Sequence, residues 1–158
     1  MKNINTEEPD IHWGFLDVKD KIILDLGCGR WYSSISTAEW FLNKGAKKVI
    51  GVDLSALSIE DERFTMKVEG ISSTEQLQSL INQYLPDVIK CDIEGAELYF
   101  DSVETLPDEV KQFAVEYHDN TTKIICENAM RRWGFINIEE YTLLGHDINR
   151  IGVIHGWK

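Results

Sequence analysis

The sequence predicts a three-layer α/β domain: a mostly parallel seven-stranded sheet between two layers of helices, with an antiparallel terminal hairpin. Three observations carry this reading. Short apolar runs alternate with segments of helical periodicity, which is the pattern of a parallel sheet covered on both faces. The last two strand-like runs, by contrast, have no helical segment between them. The 158 residues, 43% hydrophobic and 10% aromatic, suffice for one core, and the whole of 1–158 reads as a single domain.

The elements follow in order. Residues 21–26 (KIILDL) form an apolar strand closed by the turn Gly27-Cys28-Gly29. Ser33 or Ser34 caps a helix whose inward face is Ile35, Ala38, Phe41 and Leu42 and which Gly45 ends. Residues 49–52 form a second strand, ending at Asp53, and residues 64–68 a shorter third. Ser72 or Ser73 opens a helix with Leu77, Leu80, Ile81 and Tyr84 on one face, stopped before Pro86. Residues 87–93 (DVIKCDI) are the fourth strand, followed by a short helix through Leu98 and Phe100. Residues 111–118 (KQFAVEYH) are the fifth strand. A helix over about 121–133 carries Ile125, Ala129 and Trp133 inward and stops at Gly134. Strands at 135–142 and 150–157, joined by LLGHDIN, complete the sheet.

Composition excludes several classes. Sixteen basic residues against 27 acidic give a net charge of −11, a field that repels phosphate backbones. The basic clusters, Lys44-Lys47-Lys48 and Arg131-Arg132, read as helix ends, where cations offset the carbonyl dipole. Nucleic acid is therefore disfavoured as a partner. Cys28, Cys91 and Cys126 are widely spaced and odd in number, so neither a zinc knuckle nor a disulfide framework is expected. No signal-peptide pattern and no run of ~18 apolar residues occurs, so a cytoplasmic chain with no membrane partner is expected.

Ligands of open parallel sheets bind beyond the carboxyl ends of the strands. Here those ends carry Asp25 with Gly27, Cys28 and Gly29, then Asp53, Glu69, Asp92 with Glu94, and Glu116 with His118. A turn-forming acid at one strand end is ordinary; an acid at five is not. The glycine turn lacks the G-x-G-x-x-G spacing of dinucleotide binders, with Tyr32 at the sixth position. Asp25, two residues before the first glycine, would sit badly beside a pyrophosphate and suits an amino group. Asp53 ends the second strand, where a carboxylate accepts both hydroxyls of a ribose. A ribose and a cationic amino acid without phosphates describe S-adenosylmethionine.

DLGCGR with VIGVDLS resembles the first two motifs of class I S-adenosylmethionine-dependent methyltransferases, which have a Rossmann-like fold. VIKCDIEGAE (residues 88–97) and FAVEYH (residues 113–118) resemble the strand-four and strand-five motifs of the FkbM-type family. The resemblance implies that Asp25, Gly27 and Gly29, with Cys28 between them, meet the methionine end of the cofactor. It implies too that Asp53 and the adjoining Leu54 hold the ribose, that Glu69 touches the adenine edge, and that Asp92 and Glu94 face the donor or acceptor. Trp31 stands where many relatives have a third glycine, and the chain carries no long insertion to form a lid.

Glu116 and His118, two apart on a strand, share one face. With Asp92 and Glu94 they could supply a general base or bind a divalent ion, for which oxygen-rich ligation suits Mg²⁺; no metal ligand set is assigned. His118 is the first candidate for the base, then Glu94 or Glu116. His146 and Asp147 read as a solvated turn rather than an acceptor contact, His155 as structural, and His12 and Trp13 as packing against the sheet rather than folding over the cofactor. The expected activity is transfer of a methyl group to a hydroxyl oxygen of a small molecule or sugar, the open rim closed by a large acceptor or by a homodimer partner. The alternatives are a non-catalytic methyltransferase-like domain serving as a binding or partner subunit and a nicotinamide-dependent reductase, which Tyr32 in place of glycine disfavours.

Overall fold

The computed structural model describes residues 2–4, 9–29, 35–143 and 151–158. Trp31, Tyr32, Ser33, Ser34, His146 and Asp147 lie outside them. The elements are β1 (Lys2–Ile4), α1 (Pro9–His12), β2 (Ile22–Leu26), α2 (Thr37–Asn43), β3 (Lys48–Asp53), β4 (Phe64–Val68) and α3 (Thr74–Tyr84). They continue with β5 (Val88–Cys91), a 3₁₀ helix (Ala96–Ser102), β6 (Gln112–Tyr117), α4 (Asn120–Arg132), β7 (Asn137–Leu143) and β8 (Gly152–Trp157).

One sheet holds all eight strands in the order β1-β7-β8-β6-β5-β2-β3-β4. β4, β3, β2, β5 and β6 run parallel, and β8 lies antiparallel between β6 and β7. The seven expected strands and the antiparallel closing pair are all present. The eighth, β1, pairs in parallel with β7 at the edge; three residues carry too little period-two signal to be read from sequence.

Alternation along each strand divides the core in two. Leu24, Leu26, Ile50, Val52, Ile89, Phe113 and Val115 pack against α3, the 3₁₀ helix and α4, where Phe100, Phe113 and Trp133 meet edge to face. Ile23, Val49, Val88 and Ala114 point the other way, against Trp13 and α2.

The helix ends show how local chemistry sets boundaries. α2 starts later than expected, because Ser36 is its N-cap. Ser36 Oγ accepts from Glu39 N and the Glu39 carboxylate accepts from Ser36 N, a reciprocal capping box. α3 is capped by Ser73 and α4 by Asp119. Lys44 and the Arg131-Arg132 pair do sit at helix ends. Lys44 pairs with Asp10 at 2.6 Å, and Arg132 donates to the carbonyls of Phe100, Asp101 and Val103. All three cysteines are free and buried, and burial pushes each thiol up. None is activated as a nucleophile.

Candidate active site

The sheet order reverses between β2 and β5, and a cavity of about 800 Å³ opens there, beyond the carboxyl ends of β2, β3, β5 and β6. Its volume is that of a small-molecule site. Gly27, Gly29, Asp53, Leu54 and Glu69 line one half, and Asp92, Glu94, Glu116 and His118 the other. Parallel register explains the gathering. Asp25 lies beside Lys90, which lies beside Ala114. Two residues on, with the same side facing up, come Gly27, Asp92 and Glu116.

The cofactor half is organised by Asp53. Its Oδ2 accepts from Gly29 N at 3.0 Å and its Oδ1 from Ser55 N at 2.8 Å. Each carboxylate oxygen retains lone-pair capacity for a further donor. A side chain on Gly29 would begin 2.9 Å from Asp53 Oδ2, so glycine is what lets the turn approach this acid. Gly27 has φ +78°, a conformation that side chains rarely adopt. Glu69 follows β4, where Gln76 Nε2 donates to it at 3.2 Å. Leu54 is 78% exposed at the cavity mouth.

Two expected contacts are placed elsewhere. Cys28 is fully buried and packs toward Met66, with Sγ 3.8 Å from its sulfur. Asp25 lies beneath the cavity floor with no exposed surface. It accepts from Thr37 Oγ1 at 2.6 Å and faces Lys90 Nζ at 3.2 Å. Lys90, equally buried, donates to Gly27 O at 2.6 Å and stands 5.2 Å from the Trp13 ring centre. Desolvation, the largest single influence, would lower the Lys90 pKa. Asp25 and Asp92 together outweigh it and push it up to about 12. Burial raises the Asp25 carboxyl, with Lys90 and Thr37 opposing. This ion pair is a pedestal that grips the glycine turn from below. Sequence reasoning passed over Lys90, although a lysine inside an otherwise apolar strand was the available signal.

His12, expected to pack against the sheet, also reaches the cavity. Its side chain, 6% exposed, brings Nε2 to 3.1 Å from Glu116 Oε2, and its ring stacks on Trp13 at 4.5 Å. Both His12 and Trp13 line the cavity. Across it, His118 Nδ1 lies 3.4 Å from Glu97 Oε1, and Nε2 lies 3.8 Å from Glu116 Oε1. The Glu97 carboxylate is the principal reason the His118 pKa rises from an ordinary 6.5 to about 9; Glu116 and Asp92 add to it against desolvation. His118 is thus a cation at neutral pH.

The folded state binds this proton more tightly than the unfolded chain does. Its contribution to stability is therefore complete below about pH 6.5 and lost as pH rises through about 9. In an NMR titration the His118 imidazole should titrate near pH 9, and Glu97→Gln should bring it back toward 6.5. An unshifted wild-type midpoint would contradict this assignment.

The parallel core, the antiparallel closing strands and a rim site at the switch point define the class I methyltransferase fold. No family model matches the chain. A ribosomal protein L11 methyltransferase from Haemophilus influenzae is 31% identical over 83 residues, 52% of this chain and 26% of that relative. The chain thus matches about a quarter of the relative's length. A ribosomal RNA methylase from Streptococcus thermophilus superposes with a TM-score of 0.53 at 15% identity, over 89% of each chain. A candidate methyltransferase from Streptococcus mutans, solved with S-adenosylhomocysteine, gives 0.51 at 13% identity over 89% of this chain and 88% of that one. The two solved structures establish the fold.

These relatives correct one expectation. The acceptors in their names are macromolecules, a ribosomal protein in one and ribosomal RNA in another. The small-molecule acceptor, with nucleic acid set aside on charge alone, is withdrawn. Among the described residues no helix is long and apolar enough to cross a membrane.

Proposed function

We propose that this chain is an S-adenosylmethionine-dependent methyltransferase domain, with FkbM-type motifs, that modifies a nitrogen of a basic protein. The observation that carries the reading is Asp53 at the end of β3, bonded to the amide of Gly29 on one side of a cavity whose other side is acidic. In this reading Asp53 accepts the ribose hydroxyls, Glu69 meets the adenine edge, and Gly27 and Gly29 let the methionine end lie against backbone. Asp25 acts from below, through Lys90 and Thr37. The bound cofactor supplies an electrophilic methyl group with its own leaving group, so the chain mainly aligns an acceptor.

Asp92, Glu94 and Glu116 line the side of the cavity that the acceptor enters in this reading. Carboxylates attract an ammonium group, and one of them takes a proton from it before attack; the freed nitrogen lone pair then forms the N–C bond as the C–S bond breaks and S-adenosylhomocysteine leaves. Glu94 suits this role better than His118, which already carries a proton at neutral pH. A protein acceptor is favoured because the relative aligned at 31% identity is named for a protein substrate, and a net charge of −11 attracts basic polypeptides.

Calorimetric titration with S-adenosylhomocysteine tests the cofactor half, with NADH as control. Asp53→Ala should weaken binding roughly 100-fold, the loss of two charge-assisted hydrogen bonds; unchanged affinity would remove Asp53 from the ribose. Transfer of labelled methyl from S-adenosylmethionine to basic ribosomal proteins, and not to ribosomal RNA, tests the acceptor. Tight cofactor binding with no transfer to any acceptor would favour a non-catalytic binding subunit.

A further inference from the structure

We propose that Asp92, Glu116 and His118 bind a divalent first-row transition-metal ion at the β5–β6 side of the cavity. One ligand atom from each residue lies within 4.8 Å of the other two. Ligands at about 2.1 Å from one ion stand roughly 3–4.2 Å apart, and His118 Nε2 is already 3.8 Å from Glu116 Oε1. Rotation of the half-buried Asp92 and His118 side chains, each 28% exposed, suffices to close the rest.

The second layer is what separates this cluster from an ordinary acidic surface. Behind His118, fully buried Glu97 turns Oε1 toward Nδ1 at 3.4 Å, while its Oε2 accepts from Gly95 N at 2.8 Å. That Oε1 makes no hydrogen bond of good geometry, and neither does buried His12 Nε2, which is aimed at Glu116 Oε2 from 3.1 Å. A carboxylate behind an imidazole orients the ring and turns Nε2 outward, the ion displacing the proton that His118 carries there at neutral pH, and a buried group behind a ligating carboxylate fixes which oxygen is free. This is the outer-layer arrangement of metal sites. His12 and Glu97 come from α1 and the 3₁₀ helix, so four separate segments converge on the three ligand atoms.

One imidazole with two carboxylates suits Mn²⁺, Fe²⁺ or Zn²⁺ better than the all-oxygen shells of Mg²⁺ and Ca²⁺. Three protein ligands leave coordination positions open, and they face the cavity, where an acceptor oxygen or nitrogen can enter. The proposal rests on the cluster alone and holds whether or not the methyltransferase reading does.

The test is titration of metal-stripped protein with Mn²⁺, following loss of the free-ion signal by electron paramagnetic resonance without any cofactor. One tightly held ion per chain is expected, with nitrogen modulation in its spin-echo decay from the His118 imidazole. Glu116→Gln and His118→Ala should each weaken uptake at least tenfold, and Glu97→Gln, behind the imidazole, roughly 10–100-fold. Circular dichroism establishes that each variant is folded. Should His118→Ala fail to fold, the nitrogen modulation of the wild-type site and the Glu116→Gln titration still decide. No uptake by wild type, no nitrogen ligand, or uptake unchanged in Glu116→Gln would overturn the proposal. Calorimetry with S-adenosylhomocysteine, run separately, reports on the cofactor reading by itself.

Discussion

Lys90→Ala should destabilise the domain by about 3–5 kcal/mol, because it strips a buried carboxylate of its counter-charge. Asp25 has no exposed surface, and its remaining partner among the described residues is the Thr37 hydroxyl at 2.6 Å. The same change removes the donor to Gly27 O, so the glycine turn loses its support from below. In thermal unfolding the loss corresponds to a drop of roughly 10 °C for a chain of this length.

The sharper check is the double variant Asp25→Asn with Lys90→Met, which removes both charges and keeps the volume. Replacing a whole buried ion pair costs far less than breaking it. The double variant should therefore be more stable than Lys90→Ala, with a strongly non-additive cycle. Additive losses would mean that Lys90 contributes by packing against Trp13 rather than by charge.

Gly27→Ala should be nearly as severe. Its φ of +78° is costly for any residue with a Cβ, by about 1–2 kcal/mol. The added carbon would also lie 1.9 Å from the carbonyl oxygen of Asp92, with no flexible side chain to give way. Two strand ends must part to admit it, which adds roughly 1–3 kcal/mol of overpacking strain. The expected total, about 3 kcal/mol or more, should appear as a melting-temperature fall of roughly 10 °C. A stable Gly27→Ala protein with intact S-adenosylhomocysteine affinity would show that the turn is far more plastic than its contacts imply. Gly95, also at positive φ but with open space around it, is the internal comparison: Gly95→Ala should show only the backbone cost.

What the sequence determined by itself was whatever rests on short-range pattern. Apolar runs alternating with helical stretches specify parallel strands and covering helices, and parallel strands put all their carboxyl ends on one rim. Asp53, Glu69, Asp92, Glu94, Glu116 and His118 could therefore be gathered without coordinates, and all six line one cavity. Local signals were ambiguous only at edges, as at Ser36, where the capping box placed the start of α2 later than the first candidate serines.

Only the tertiary structure decided which polar residues look into that cavity and which hold it up from beneath. Asp25 precedes the glycine turn by two residues and reads as a ligand contact, yet one step of strand places it in the row below the rim, paired with Lys90 of the neighbouring strand. His12 meets Glu116, more than a hundred residues along the chain, because α1 packs over the β6 end. His118 reads as a base until Glu97 arrives from the 3₁₀ helix and charges it. The physical reason is common to all three. A strand's two-residue period tells which side a residue faces, whereas charge state and contact depend on partners brought from other elements by packing, and a linear pattern carries no record of those distances.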